Sequence, residues 1–385
     1  MESLILGWYV LTATGSVTLL VAFSAMQWVG SLGSPLIGVA GDRVGHRTLL
    51  CVTRAIYVLL AGTLTTLTLT GALAPWHVFT IAAVAGLVRP SDLVMRHALI
   101  AQTVPGAQLL GALGISRTTA DSARIAGALA GTGGVAAFGM GPAYVAVTLF
   151  YVASFLLSLG VAGTPQRRPE APDATRPTPW RDLRGAFAYV WNRPDLLGAM
   201  SLAFLVNLLA FPFFLGLLPY VAKEVYAVGQ TGLGYLAAAF AAGGLIGSLA
   251  LSANRLPLRA ARTMLVAGAI WFIIVLLFAR TSGLASGMVL LVLAGMVHNL
   301  CLMPLSAVML RGSAEDMRGR VMGMRMLAIW GLPAGLLIAG PLIGRIGFAA
   351  TATGYALGGL ALTLAIALRW RAALWRAASP ANARV

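Results

Sequence analysis

Two stretches of the chain space ionisable side chains along a single helical face. Arg89, Asp92 and Arg96 stand at i, i+3 and i+7, and Arg117, Asp121 and Arg124 at i, i+4 and i+7. Both stretches lie in runs that are otherwise apolar. A charge near the middle of a bilayer costs about 2.5–3.5 kcal/mol on insertion scales, so such faces turn inward, pair, or line a pathway. The two ladders together hold four arginines and two aspartates, an excess of two positive charges. Two readings stay open. In one, the ladders are structural pairs, with Arg96 and Arg117 snorkelling to the nearby interface. In the other, Arg89 or Arg124 faces a cavity and attracts an anionic group. Glu2 is a further candidate: at mid-membrane depth it takes up a proton or pairs with Arg124, unless the chain simply begins outside lipid. Gln27, with Ser24 and Ser31, and Asn207, His298 and Asn299 are uncharged candidates for a cavity wall, although polar residues also bond across packed helices.

The elements that position these residues follow from composition. Of the 385 residues 59% are apolar by a count that leaves out 45 glycines, only 10% are charged, and the mean hydropathy is +0.87. An ordinary soluble domain is ~25% charged, so a soluble protein is excluded. Apolar runs at about 17–40, 48–70, 77–100, 109–136, 142–163, 196–218, 231–252, 263–279, 284–309, 321–344 and 348–368 read as eleven spans. A twelfth apolar piece, residues 4–13, precedes Thr14-Gly15-Ser16. Its ten residues rise ~15 Å, about half of the hydrocarbon core. The expected fold is therefore all-α and polytopic: eleven full spans plus a half helix, with the first helix truncated by an early chain start.

The net charge of +16 would suggest nucleic acid in a soluble chain. Here the arginines sit in alternate short gaps between spans, which is the positive-inside pattern. One set of gaps holds Arg43 and Arg47, Arg96, Arg167 to Arg193, Arg255 to Arg262, Arg311 to Arg320, and the tail from Arg369; the other holds Lys223, Arg280 and Arg345. The first set, and with it the C-terminus, is expected on the cytoplasmic side of an inner membrane. Cys51 and Cys301 are far apart and offer no metal spacing. The longest gap, 164–195, begins Pro-rich and charged; it then places Trp180, Leu183, Phe187 and Trp191 on one stripe, as in a helix lying on the membrane face. It divides the chain into an N-terminal bundle over 1–163 and a C-terminal bundle over 196–370, followed by a tail over 371–385. The halves read as repeats: residues 42–47 parallel 254–259 at an offset of 212, and 90–95 parallel 304–309 at 214. Parallel repeats about an axis along the membrane normal are a transporter architecture.

Gly38-Val-Ala-Gly-Asp42-Arg43-Val-Gly45-His46-Arg47 resembles the loop 2–3 signature of the major facilitator superfamily, with His46 where that signature has arginine. More of the chain is similar to its bacterial exporter branch, that of the enterobactin exporter and the macrolide-efflux permeases. The similar segments are Leu6 to Ser16 at the end of the first helix, Asp92-Leu-Val-Met-Arg96-His-Ala-Leu on the fourth, Arg124-Ile-Ala-Gly127 on the fifth and Arg318-Gly319-Arg320-Val321 in loop 10–11. The fifth-helix motif departs from the branch, since Ala128 follows Gly127 where proline is usual. The resemblance implies two six-helix bundles that rock about a central site. It also implies a cytoplasmic gate of Gly38, Asp42, Arg43, Gly45 and Arg47, extended by Asp92 and Arg96, in which Asp42 caps the eleventh span near Val321.

The function expected is secondary active export of a small organic compound, drug-like or siderophore-like, by a monomer that uses protons and lipid but no cofactor. A truncated remnant without transport is the alternative. A membrane-embedded enzyme is disfavoured: His46, His77, His97 and His298 form no His-Glu-x-x-His, and the chain holds no Gly-x-Ser-x-Gly and no phosphate-binding Gly-Lys-Ser/Thr loop.

Overall fold

The computed structural model of the protein describes residues 1–33, 45–103, 109–160, 179–252, 259–314 and 317–375. Among these residues the regular structure is all helical. An N-terminal group comprises α1 (Glu2–Thr14), α2 (Val17–Met26, running into a 3₁₀ turn at Val29–Gly33), α3 (His46–Leu69), α4 (Pro75–Thr103), α5 (Leu109–Phe138) and α6 (Met140–Leu159). The amphipathic helix α7 (Pro179–Trp191) follows. A C-terminal group comprises α8 (Pro194–Leu209, continued by short pieces to Val225), α9 (Gln230–Ser252), α10 (Ala260–Phe278), α11 (Leu284–Gly312), α12 (Arg318–Ala328), α13 (Gly331–Ile346) and α14 (Phe348–Arg369), closed by the short α15 (Arg371–Trp375). Among the described residues seven helical segments are long and apolar enough to cross a membrane: those of α3, α6, α9, α10, α11, α14 and the pair α12–α13. Charges dilute α4 and α5, and α2 and α8 are shorter.

Turn chemistry explains the breaks. At Thr14-Gly15-Ser16, Gly15 adopts φ 63° and its N–H returns to the Leu11 carbonyl at 2.9 Å. That is the left-handed cap that stops a helix. Ser16 then starts α2 by accepting the Leu19 N–H on its hydroxyl at 3.3 Å. Gly139 (φ 81°) and Gly347 (φ 82°) reverse the chain between α5 and α6 and between α13 and α14. Their offset, 347 − 139 = 208, lies close to the offsets of the sequence repeats. Pro90 and Pro304, from the second repeat pair, both fall inside the fourth helix of their group, α4 and α11. The first repeat pair, 42–47 with 254–259, falls largely outside the described residues.

The groups meet chiefly through two helix pairs, α2 with α13 and α5 with α9, and α1 also touches the segment around Pro219. The two pairs set the second helix of one group against the fifth of the other, in both directions. Small residues permit both contacts: a Cβ on Gly340 would strike Val21, and one on Gly234 would strike Thr132.

Packing is unequal. In α3 and α6, 22% of the spanning window is buried, against 50% in α10 and 39% in α14, the corresponding third and sixth helices of the other group. The C-terminal group encloses one continuous core that includes Phe213, Trp271, Phe272 and Phe278, each under 2% exposed. The N-terminal group has two smaller cores. Gly243 and Gly247 on α9 let α11 approach until a Cβ at Gly243 would enter the Val292 carbonyl and one at Gly295 the Phe240 carbonyl. A Cβ at Gly131 would meet the Met1 side chain, while Gly133 and Gly134 face open space.

Replacing Gly295 by leucine is therefore expected to drive α9 and α11 apart, at a cost of about 1–3 kcal/mol or more. The monodisperse fraction in detergent should fall steeply for Gly295→Leu and stay at wild type for Gly133→Ala.

Candidate functional site

A cavity of about 430 Å³ lies inside the N-terminal group, between α1, α2, α3, α4 and α6. Its polar wall comes from residues deep in the helices. Arg89 is the fifteenth residue of the 29-residue α4, ~21 Å along the helix axis from its start. Glu2 opens α1, Gln27 closes α2, Arg54 sits in α3, and Tyr151 lies in the middle of α6.

These groups form two small networks. The Gln27 side-chain oxygen accepts from the Ser3 hydroxyl at 2.7 Å and from Arg89 Nη1 at 3.3 Å. The Arg89 guanidinium carbon also lies 4.8 Å from the centre of the Trp28 ring, within cation–π range. On the opposite wall the Tyr151 hydroxyl donates to Glu2 Oε2 at 2.7 Å, and the Tyr57 ring stacks on Tyr151 with centroids 5.5 Å apart. Gln27 is the one hydrogen-bond partner of Arg89 among the described residues, and a guanidinium carries five N–H donors. The site thus joins a carboxylate whose hydrogen bond is fixed to an arginine with donors to spare. It can hold a small organic molecule by a charge at one end and aromatic faces beside it.

The other sequence candidates are dispersed. Asp121 and Arg124 pair at 2.9 Å on α5, with the aspartate side chain 5% and the arginine 63% exposed; neither lines the cavity. The carboxylate of Glu2 meets Tyr151, and the arginines on the cavity wall are Arg54 and Arg89. In the C-terminal group, Asn207 donates to the Ala203 carbonyl in its own helix at 2.8 Å, and Asn299 ties α11 to the Gly244 carbonyl of α9. His298 packs among Phe211, Phe240 and Trp271 with centroid distances of 4.9, 5.8 and 5.3 Å. Of the loop 2–3 candidates, Gly38, Asp42 and Arg43 lie outside the described residues, as do the side chains of Asp92, Arg96 and Arg117. Gly45 is the N-cap of α3 with φ 97°. Arg47 Nη2 donates to the Leu159 carbonyl at 2.6 Å, a cation at the C-terminus of α6 where the helix dipole favours it.

Sequence reasoning missed Arg54, Tyr57, Trp28 and Tyr151. The available signal was spacing: Arg54 with Tyr57, and Tyr151 with Ser154, stand at i, i+3 and face one cavity.

The family model for the Major Facilitator Superfamily matches residues 3–338. The chain belongs to this superfamily. No curated protein matches it by sequence. Among solved structures, the nucleoside transporter NupG superposes with TM-score 0.66 at 15% identity, over 97% of this chain and 94% of that one, and a point variant of NupG gives 0.68 at 14%, over 96% and 94%. The human organic anion transporter MFSD10 (TETRAN) superposes with TM-score 0.61 at 16% identity, over 91% and 83%. At these identities the likeness is one of fold. Membership of the superfamily makes the chain a small-molecule transporter by class and points away from an enzyme.

In a Cys51→Ser/Cys301→Ser background, a cysteine at Ser154 is expected to react with a charged, membrane-impermeant thiol reagent. One at the buried Ser248 should not. Equal labelling at the two positions would mean that the cavity is not wet.

Proposed function

We propose that this superfamily member is a secondary active transporter of a bacterial inner membrane that exports a small organic anion or zwitterion. The observation that carries this reading is the placement of Arg89, whose guanidinium has donors to spare, in one cavity with the Glu2 carboxylate that Tyr151 holds. Its ~430 Å³ falls in the range of small-molecule sites, about 300–1,000 Å³. In a low dielectric, the Arg89 guanidinium, which keeps donors beyond its bond to Gln27, favours a substrate that brings negative charge. The description of MFSD10 as an organic anion transporter accords with that choice. The aromatic side chains Phe23, Tyr57, Phe150 and Tyr151 on the cavity wall suit a substrate with an apolar body, as in the exporter branch that the sequence resembles.

In this reading the chain works by alternating access. Residues 1–163 and 196–370 act as the two moving bundles, joined by the linker 164–195, with eleven full spans and α1 as a half-length first helix. The arginine-rich ends and the tail from 371 face the cytoplasm. Asp42, Arg43 and Arg47, with Asp92 and Arg96, form the gate on that side. The Glu2 carboxylate, held by Tyr151, is the proton carrier: protonation releases the hydrogen bond from a charged acceptor and lets the cavity change its occupant.

Purified protein in liposomes, tested with matched aromatic carboxylates and amines, is expected to move the carboxylates saturably. Arg89→Gln should lower that flux at least tenfold and Arg89→Lys should retain part of it. Preference for amines, or wild-type flux in Arg89→Gln, would overturn the anion reading. Collapsing the pH gradient should stop uphill movement, and unaffected accumulation would remove the proton from the mechanism. In cells, Asp42→Asn should abolish export with the protein still in the membrane; full export would sink the gate assignment.

A further inference from the structure

On the outer face of the C-terminal group, away from the transport cavity, α10 and α14 leave a concave apolar groove of about 390 Å³. Leu265, Val266 and Ala269 form one wall and Leu360, Leu364 and Ala367 the other. Val266 is 50% and Leu364 59% exposed, so the groove opens outward to where lipid lies. Along α14 the lining runs from Leu360 to Ala367, a length of about 10 Å, the scale of part of an acyl chain rather than of a headgroup.

The end of the groove is built differently. Trp375 of α15 closes it. This helix is seated by Leu374, 2% exposed, which packs against Gly198 of α8. Arg262 Nη2 donates to the Trp375 carbonyl at 2.8 Å, and the guanidinium carbon lies 5.4 Å from the Trp375 ring centre. Arg262 Nε is buried with no hydrogen-bond partner among the described residues. Arg259, at the N-cap of α10, and Arg369 and Arg371, at the junction of α14 and α15, are exposed at this same end. Neither residues 259–280 nor 346–375 contain an aspartate or glutamate. Four arginines therefore gather at the mouth of an apolar groove with no acidic side chain in the helices that carry them.

We infer that this groove binds one anionic phospholipid of the leaflet at the arginine-rich end, with an acyl chain between α10 and α14 and the phosphate at Arg262 and Arg259. A zwitterionic lipid would fill the groove equally well but would leave excess positive charge at its mouth. The residues that follow Trp375 are an unsuitable occupant: 376–385 read Arg-Ala-Ala-Ser-Pro-Ala-Asn-Ala-Arg-Val, basic and almost without large apolar side chains. Basic pockets between spanning helices on this side are a known chemistry for anionic headgroups.

The test is lipid retention, which does not depend on transport. Full-length protein is reconstituted in vesicles of equal phosphatidylglycerol and phosphatidylcholine, re-extracted in mild detergent and weighed by native mass spectrometry. Wild type is expected to keep one phosphatidylglycerol with at least fivefold preference over phosphatidylcholine. Arg259→Gln/Arg262→Gln should bring that preference to within twofold of unity. Ala361→Phe, which fills the groove from an exposed position, should cut total retained lipid at least threefold. The inference is overturned if wild type shows no preference, or if the double arginine variant keeps it. It is also overturned if removing 376–385 raises retained lipid twofold or more, since the tail would then be the occupant.

Discussion

Every polar group placed inside the hydrocarbon must find a partner within the protein, and the architecture depends on that constraint. Helices satisfy the backbone. The side chains then sort the two halves. In the C-terminal group the mid-helix polar residues are few and are absorbed locally: Asn207 by its own helix, Asn299 by the α9 backbone, His298 among aromatic rings. The helices close on one another around them, and glycines at the α9–α11 contact bring backbones into touch. In the N-terminal group, Arg54, Arg89 and Glu2 require polar neighbours and room, so α3 and α6 stay loosely packed and a cavity remains.

The halves therefore differ in packing, the C-terminal one dense and the N-terminal one hollow and polar. The contacts that join them, α2 with α13 and α5 with α9, are related by the internal repeat and use small residues at the points of closest approach. Close fit supplies most of these contacts, and beside them the Ser24 hydroxyl of α2 donates to the Gly216 carbonyl at 3.4 Å.

Much of the fold was legible because hydropathy reports it directly. The chain is helical where the sequence is apolar, with seven segments among the described residues long and apolar enough to cross a membrane, and the stop at Thr14-Gly15-Ser16 is a glycine cap followed by a serine cap. Composition alone does not distinguish Gly243 and Gly247, which face α11, from Gly133 and Gly134, which face open space. The site was harder. Charge ladders mark a helix face but not which neighbour it meets: Arg89 reaches the cavity, whereas Arg124 pairs with Asp121 away from it. Tyr151 and Tyr57 were missed because a tyrosine in an apolar run reads as packing until the carboxylate opposite it is known. Gln27 and Glu2 were found because polar residues are rare at that depth.

The central claim is that the cavity of the N-terminal group is where this transporter holds its substrate. A density map of the protein with a transported compound bound tests it most directly. The account predicts ligand density between Gln27, Arg89 and Tyr151, with an acidic group of the compound at the guanidinium. Density instead among Phe211, Trp271 and His298, with that cavity empty, would contradict it.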